Sequence, residues 1–353
     1  MTQAPVITDI PRLTSLSHGG GCGCKIAPDV LAKLMQKGIP TGVFPNLLVG
    51  TQSSDDAAVY RLNDEQALIA TTDFFMPIVD DPHDFGRIAA TNALSDVYAM
   101  GGTPIMALAL VGMPLKSLPH ETISAILAGG ASVCQQAGIP IAGGHSIDSV
   151  EPIYGLAVMG LGHPAHIKRN DQAKPGDALI LSKPLGVGIL SAALKKDQLA
   201  PESYQAMIAS TTQLNTPGGQ LGRMDAVHAL TDVTGFGLLG HTLEMCKGSG
   251  LQATLDYQAL PWLDAAQALA QAGIHTGASG RNWQACQQHI TLDTTLPAEA
   301  QALLTDPQTS GGLLVACDPA AVDEVLALLR ADGFAQAAHI GQLASGTPHI
   351  RVF

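Results

Sequence analysis

The stretch Asp84–Met100 reads Asp-Phe-Gly-Arg-Ile-Ala-Ala-Thr-Asn-Ala-Leu-Ser-Asp-Val-Tyr-Ala-Met and decides the fold. We predict a helix here, with Asp84 as its N-cap and Gly101-Gly102 as its stop. Small apolar residues fill most of this helix, so it should be buried. Asn92 and Asp96 are four residues apart and therefore share a face of the helix. A buried carboxylate needs a partner or a metal, so we predict that Asp96 is functional.

Apolar strands flank this helix on both sides. Ala67–Thr72 is predicted as a buried strand that ends at Asp73 and continues into an apolar loop, Phe74–Pro77. Pro104–Met113 is predicted as a second strand, and Leu118–Ala137 as the next helix. Strands and helices alternate in this way to the end of the chain. The sequence therefore predicts a mixed α and β fold in two domains.

The length of the chain also favours two domains. Its 353 residues exceed what one hydrophobic core usually supports, and the pattern turns polar around His163–Pro175. We predict an N-terminal segment with a mobile lid over residues 1–50, an N-terminal domain over 51–165 and a C-terminal domain over 166–353. Hydrophobic residues make up 46% of the chain, which is enough apolar material for both cores.

Charge and cysteine content exclude several classes of protein. The net charge of −12 argues against unspecific binding to nucleic acid or to an anionic membrane. The start of the chain lacks a signal-peptide pattern, and the longest apolar run, Pro104–Leu115, is too short to span a bilayer. Six cysteines in so long a chain are not a disulfide framework, so we expect a cytoplasmic protein. Four of them are predicted to be buried hydrophobic residues: Cys134, Cys246, Cys286 and Cys317.

The segment Ser17–Lys25 reads Ser-His-Gly-Gly-Gly-Cys-Gly-Cys-Lys. Its glycines permit many backbone conformations and close approach to a ligand. A thiolate is nucleophilic, and a nearby Lys or His⁺ lowers the pKa of a cysteine. The segment therefore suits a lid that closes over a charged substrate. Taken alone, it is explained equally well as a disordered arm with incidental cysteines.

Acidic residues recur at strand ends and on the buried helix: Asp55, Asp56, Asp73, Asp96 and Asp232. The Asp55-Asp56 pair alone is more often a plain loop. If the five converge, however, they need divalent cations, and Mg²⁺ binds carboxylates together with substrate phosphates. Phosphoryl transfer depends mostly on positioning and charge neutralisation, and the thiols are candidate acceptors. A glycine-rich turn predicted at Gly143–Asp148 is a further candidate anion site, or an ordinary turn.

A dinucleotide-binding motif is the main alternative. Gly235–Gly240 matches G-x-G-x-x-G between a strand and a helix, and Asp256 lies 21 residues after Gly235. This pattern predicts an NAD(P)-dependent dehydrogenase. One feature disfavours a dehydrogenase: the carboxylate of Asp232 would lie near the pyrophosphate of the dinucleotide, with no evident positive charge to compensate.

Seven runs, spread in order over nearly the whole chain, resemble the selenophosphate synthetases (selenide, water dikinases). They are His18–Lys25, Asp55–Tyr60, Thr71–Pro77, Ala90–Asp96, Ala142–Asp148, Thr231–His241 and Asp306–Leu313. The resemblance implies that ATP, selenide and water give selenophosphate, AMP and orthophosphate. It also implies the fold of the aminoimidazole ribonucleotide (AIR) synthetase superfamily, also called PurM-like, in which the N-terminal domain dimerises through its sheet.

The same resemblance implies roles for individual residues. Cys22 corresponds to the catalytic cysteine and Lys25 to the essential lysine, which also contacts the nucleotide. The Mg²⁺ ligands would be Asp56, Asp96 and Asp232, with Asp96 also at the nucleotide. ATP binding would involve Ser53, Ser54, Asp55 and Asp73, together with Gly144, His145 and Ser146, the last three serving the neighbouring subunit's site in the dimer.

The expected ligands and partners follow from this assignment. They are ATP and selenide as substrates, Mg²⁺ as the cation with K⁺ as a further candidate, and a second copy of the chain. A selenium-delivery protein stays open as a partner. A third alternative for the function is a non-enzymatic selenium or metal carrier that uses Cys22 and Cys24. The segment Gln258–Pro297 matches the family least, and we assign it no role.

Overall fold

The computed structural model describes residues 11–26, 30, 34, 44–51 and 55–353. Most of a helix predicted over Pro28–Lys37 lies outside the described residues, as do Ser53 and Ser54. The functions expected of these two serines therefore stay predictions.

The first sheet has six strands in the order β1-β2-β3-β6-β4-β5. Its strands are β1 (Leu47–Val49), β2 (Ala58–Arg61), β3 (Ala67–Phe75), β4 (Thr103–Met113), β5 (Ile141–Asp148) and β6 (Ile153–Gly162). All neighbours are antiparallel except β4 and β5, which are parallel. Among the stretches of this half that are described in full, two are helices, α1 (Pro82–Ala99) and α2 (His120–Gln136), and α1 packs against both β3 and β6.

Helix α1 confirms the predicted central helix, but it begins earlier than predicted. Its N-cap is Asp81, whose carboxylate accepts a hydrogen bond from the Asp84 backbone N–H at 2.8 Å. Pro82 occupies the first helical position, where its fixed φ and missing N–H carry no cost. Asp84 was therefore the wrong N-cap, and its side chain pairs with Arg87 at 3.0 Å instead.

Two glycines allow α1 and α2 to pack with their backbones nearly in contact. A Cβ on Gly86 would lie 1.9 Å from the carbonyl oxygen of Ile126. A Cβ on Gly129 would lie 2.0 Å from the carbonyl oxygen of His83. This contact fixes the position of α1, and with it Asn92 and Asp96.

The second sheet has seven strands in the order β10-β13-β9-β12-β7-β11-β8. Its strands are β7 (Ala178–Leu181), β8 (Val227–Asp232), β9 (Leu251–Leu255), β10 (Ile290–Leu292), β11 (Leu313–Cys317), β12 (Ala338–Ser345) and β13 (Ile350–Val352). The helices described in this half are α3 (Val187–Lys195), α4 (Pro201–Thr211), α5 (Gly218–Leu221), α6 (Gly237–Ser249), α7 (Ala266–Gln271), α8 (Gly277–Cys286), α9 (Ala300–Leu304) and α10 (Val322–Ala331). The two sheets confirm the mixed α and β fold.

The topology of the second sheet contradicts a dinucleotide-binding unit. Such a unit places two parallel strands side by side with a helix between them. Strand β8 lies at the edge of the sheet and pairs only with β11, in antiparallel orientation. Strand β9, which precedes Asp256, is separated from β8 by three strands. The motif Gly235–Gly240 therefore lacks the pair of adjacent parallel strands that a dinucleotide-binding site requires.

Two further sequence expectations change in the structure. Strand β3 continues through Phe75, so Asp73 lies within the strand, and Phe75 is buried while Phe74 is exposed. Gly144, His145 and Ser146 lie on β5 and not in a turn, because they pair in parallel with β4. A Cβ on Gly144 would lie 2.1 Å from the carbonyl oxygen of Ala109, which requires glycine at this position.

Helix α1 lies between the two halves of the chain. It packs on the first sheet and also contacts β8 and α4 of the second half. One cluster of buried apolar side chains extends through both halves. The domain boundary at 165/166 stays a prediction. No helix in the described part of the chain is long and apolar enough to cross a membrane.

Candidate active site

The glycine- and cysteine-rich segment is docked against the rest of the protein. Residues Gly21–Cys24 form a single 3-10 turn, and Cys22 is only 1% exposed. The Cys22 N–H donates to Thr309 Oγ1 at 3.1 Å, and the Gly21 N–H donates to the Met76 carbonyl at 2.8 Å. Gly21 has φ 54°, a value that favours glycine. The turn is thereby held by residues from both halves of the chain.

Asn92 connects the Cys22 thiol to a carboxylate. The thiol donates to Asn92 Oδ1 at 3.1 Å, and the Asn92 amide donates to Asp73 Oδ2 at 2.7 Å. The Ser310 N–H also donates to Asn92 Oδ1, at 2.7 Å. Asn92 is fully buried, so these bonds orient it in one way. The face of α1 that carries Asn92 and Asp96 is therefore the face that meets the thiol.

Lys25 completes this group, since its Nζ lies 3.2 Å from Asp73 Oδ2. The Lys25 side chain is 40% exposed, so desolvation lowers its pKa only in part, and the negative charge of Asp73 and other acids raises that pKa well above its usual value. Burial, and then the charge of Asp73, raises the pKa of Cys22, and Lys25 only partly offsets this. The thiol is therefore protonated in this arrangement. His18 does not reach it and pairs with Glu151 at 2.9 Å.

Three of the predicted acids each have one oxygen held by a neighbouring hydroxyl. Thr71 Oγ1 donates to Asp96 Oδ2 at 2.5 Å, and Ser95 Oγ donates to Asp232 Oδ2 at 2.5 Å. Thr231 Oγ1 donates to Asp56 Oδ1 at 2.8 Å, which joins the first half of the chain to strand β8. These hydroxyls fix the orientation of each carboxylate and leave its second oxygen to another partner.

Burial and mutual repulsion act on these acids together. Burial and the charge of Asp232 raise the pKa of Asp56 and of Asp96 well above the usual range, and burial raises the pKa of Asp232. Burial raises the pKa of Asp55 to about 7, although the backbone N–H groups of Asn170 and Asp56 donate to its carboxylate. So many close carboxylates are unfavourable without a cation.

The fit of a divalent cation can be tested on the oxygens of these acids. The described residues contain no group of three or more His, Cys, Asp or Glu side chains arranged as a ready-made metal site. However, Asp56 Oδ2 is buried and has no hydrogen-bond partner. Mg²⁺ is usually bound by one or two carboxylates plus substrate phosphates and seldom by a closed protein cage. The residues present therefore fit Mg²⁺ that arrives with a nucleotide.

Gly144, His145 and Ser146 are not part of this group within one chain. All three are exposed on the edge strand β5. Among the residues that the structure describes, no hydrogen bond or ion pair joins them to Cys22, Lys25 or the acids of the site.

The structure also brings in residues that sequence reasoning did not assign. Asn215 donates to Ser95 Oγ at 2.7 Å, behind Asp232. Arg281 donates to the Gly23 carbonyl at 3.0 Å, and Asn282 donates to the Gly235 carbonyl at 2.9 Å. The run Asp306–Leu313 carried a resemblance but no role, and it supplies Thr309 and Ser310. Arg281 and Asn282 lie in the segment that matched the family least, so no sequence signal pointed to them.

Family models match both halves of the chain. The model described as AIR synthase related protein, N-terminal domain, matches residues 54–162, and the corresponding C-terminal domain model matches residues 174–352. Solved structures agree with this fold. A thiamine-monophosphate kinase from Stenotrophomonas maltophilia K279a has a TM-score of 0.62 at 20% identity, over 93% of this chain and 96% of its own. The E. coli hydrogenase maturation protein HypE has a TM-score of 0.62 at 22% identity, over 88% and 89%.

Curated relatives extend the match to the whole chain. The chain is 68% identical to a selenide, water dikinase of Burkholderia pseudomallei (strain K96243), over 97% of each chain. It is 66% identical to a protein of the same name from Burkholderia ambifaria (strain MC40-6), over 100% of each. With that of Rhizobium meliloti (strain 1021) it shares 58% identity, over 97% of this chain and 98% of the relative. Neither the dehydrogenase nor the carrier alternative is supported. The two AIR synthase related domains and these full-length matches place the chain in the selenide, water dikinase family.

Proposed function

We propose that this chain synthesises selenophosphate from selenide, ATP and water, with release of AMP and orthophosphate. The names and full-length identity of the relatives support the reaction. The observation that carries the proposal is the network that joins the buried Cys22 and the partly exposed Lys25 to Asp73, next to three further acids. This network brings a thiol and a cation to a place suited to a nucleotide with its metal.

Cys22 and Lys25 are the proposed catalytic residues. Selenide is soft and easily oxidised, and the sulfur of Cys22 is a matching partner for it. The Lys25 ammonium offsets the negative charge of the phosphates. Because Lys25 contacts Asp73 in this structure, a bound phosphate would compete with that carboxylate for the ammonium.

Asp56, Asp96 and Asp232 are the proposed ligands of Mg²⁺, with Asp73 beside them. Bound Mg²⁺ would neutralise the triphosphate and stabilise the charge that leaves the γ-phosphate. The hydroxyls of Thr231, Thr71 and Ser95 keep the three carboxylates oriented before any ligand binds. K⁺ stays a further candidate cation to which we assign no residues.

Asp55, with Ser53 and Ser54, is proposed to contact ATP. We also propose a homodimer in which Gly144, His145 and Ser146 of one subunit serve the site of the other. The exposure of residues 142–148 of the edge strand β5, including Ile147 at 58%, supports an interface along this edge. The cytoplasm as location and a selenium-delivery protein as partner are consistent with this function and stay proposals.

The experiment that tests the function is ³¹P NMR of the reduced, anaerobic protein with Mg²⁺ and ATP, with and without selenide. We expect a selenium-coupled phosphorus signal together with AMP and orthophosphate, and only when selenide is present. ATP that stays intact, or that is cleaved to ADP regardless of selenide, would contradict the proposed acceptor.

A further inference from the structure

A small cavity is lined in part by Cys22 and Lys25. Its lining combines residues from three distant parts of the sequence, among them Cys22, Lys25, Gly235, Phe236, Arg281 and Asn282. The space open to the centre of a water-sized sphere is about 10 Å³, which is room for about one water molecule. This space matches a single heavy atom with its hydrogen.

The charges around the cavity are suited to a small anion. Lys25 carries one positive charge, and the burial that opposes this charge is outweighed by the surrounding acids, which raise the pKa of Lys25. Arg281 carries a second positive charge from helix α8 and is not paired with a carboxylate in any ion pair of the described residues. Two cations and a thiol at one small cavity favour a soft monoanion.

The position of Arg281 is set by hydrogen bonds on both sides of the cavity. Its guanidinium donates to the Gly23 carbonyl at 3.0 Å, one residue after Cys22. The next residue, Asn282, donates to the carbonyls of Gly235 at 2.9 Å and Thr305 at 3.0 Å. This bond uses one of the five N–H donors of the Arg281 guanidinium, and the residue is otherwise exposed.

We infer that this cavity binds the selenide acceptor, as the hydrogen selenide anion, and that Arg281 determines its affinity. The inference rests on the proposed function, because it names the site of that reaction's acceptor. Lys25 lines the cavity, and its Nζ lies 3.2 Å from Asp73 Oδ2. An anion held in the cavity would therefore share this ammonium with the phosphates of the nucleotide.

The test is steady-state kinetics of the full-length variant Arg281→Gln, with selenophosphate followed by ³¹P NMR. Loss of a hydrogen bond to a charged group should raise the KM for selenide by about 10- to 100-fold. The KM for ATP should stay within about twofold, since no nucleotide ligand is removed. Arg281→Lys keeps the charge and should recover most of the affinity. Arg351→Gln, which removes an exposed arginine of β13, is the matched control and should leave both constants unchanged.

A second measurement needs no variant. Bromide is a monoanion similar in size to hydrogen selenide, so it should inhibit the unaltered protein competitively with selenide and not with ATP. An unchanged KM for selenide in Arg281→Gln, or a rise in both KM values together with loss of kcat, would overturn the inference and leave Arg281 as a tether of Gly23. If the unaltered protein makes no selenophosphate at all, the proposed function itself fails, and this inference with it.

Discussion

At the scale of single residues, the site depends on how closely the Cys22 turn is packed. Burial raises the pKa of Cys22, so the docked thiol is not a ready nucleophile. Its hydrogen bond to Asn92 nevertheless places the sulfur beside Lys25 and Asp73. The structure therefore holds the Cys22 thiol in a fixed position. Before the sulfur can act as a thiolate, either the thiol must lose its proton or the turn Gly21–Cys24 must open.

The variant Cys22→Ser separates substrate handling from nucleotide binding. A hydroxyl can replace the hydrogen bond to Asn92, but it is a poor partner for selenium. We expect selenophosphate formation to fall by at least about a hundredfold, while Mg²⁺-ATP affinity measured by calorimetry is retained. Cys134→Ala, in α2 and away from the site, should keep its activity. Unchanged synthesis by Cys22→Ser would remove the cysteine from the mechanism.

Gly235 is required by the approach of the Cys22 backbone. A Cβ on Gly235 would lie 2.6 Å from the Cys22 carbonyl oxygen, so Gly235→Ala must displace the turn. We expect a destabilisation of about 1–3 kcal/mol in denaturant titrations and a larger loss of kcat than of ATP affinity. Gly280→Ala is the matched control, because nothing lies within 4 Å of its Cβ and it lies inside helix α8. If the two variants show the same stability and the same kcat, the close approach of Gly235 to Cys22 does not affect function.

At the scale of elements, α1 is the scaffold of the site. It presents Asn92 to the thiol, Ser95 to Asp232 and Asp96 to the acids, and all three side chains are buried. Helix α2 holds it in place through backbone contacts that only glycine permits at Gly86 and Gly129. A shift of α1 by a fraction of an ångström would therefore move three functional groups at once.

The variant Gly86→Ala tests this dependence. Its Cβ would meet the Ile126 carbonyl oxygen at 1.9 Å, a backbone atom that cannot rotate away. We expect the free energy of unfolding to fall by about 3 kcal/mol or more, at the upper end for overpacking. Ser132→Ala, on the exposed side of α2, should change it by less than about 0.5 kcal/mol. Equal stability of the two variants in urea titrations would show that α1 and α2 can separate freely.

At the scale of the whole molecule, the site is assembled where the two halves meet. The N-terminal turn supplies Cys22 and Lys25, the first half supplies the face of α1, and the second half supplies Asp232 and the residues around Thr309. Several buried acids therefore face one another across this junction. Their repulsion is a property of the assembled chain and of no single element.

This repulsion makes stability depend on pH and on Mg²⁺. Burial raises the pKa of Asp55 to about 7, and burial and nearby charges raise the pKa values of Asp56, Asp96 and Asp232. A carboxyl with a higher pKa in the folded state binds its proton more tightly when folded. Its contribution is therefore fully present below the unfolded pKa near 4 and is lost as the pH rises through the folded value, about 7 for Asp55.

We accordingly expect Mg²⁺ with a non-hydrolysable ATP analogue to raise the Tm more at pH 8 than at pH 5. The expected difference in calorimetric scans is about 2–5 °C. The variant Asp232→Asn removes one of the repelling charges and should reduce both the pH dependence and the response to Mg²⁺. A response to Mg²⁺ that is the same at both pH values, or in NaCl of equal ionic strength, would contradict the predicted metal site.

The sequence predicted the mixed α and β fold class and the central helix, and the structure confirms both. The roles of the site residues that the sequence suggested stay predictions. Apolar periodicity and the composition of a buried helix depend only on residues that are close together in the chain. A short stretch of sequence is therefore enough to recognise them. The predicted ends of the elements were less accurate. Asp81 and Asp84 are both plausible N-caps in the sequence, and only the observed capping hydrogen bond, with Pro82 at the first helical position, identifies Asp81 as the N-cap.

The contacts between distant segments of the chain could be known only from the tertiary structure. It made Gly144–Ser146 an edge strand, removed the strand pair that Gly235–Gly240 would need, and brought Arg281 to Cys22. Burial of the docked turn also raises the pKa of Cys22, and Lys25 only partly offsets this. These outcomes depend on strand order, on close contacts between distant segments and on exclusion of water. Such quantities arise only when residues far apart in the chain pack together, so no local pattern contains them.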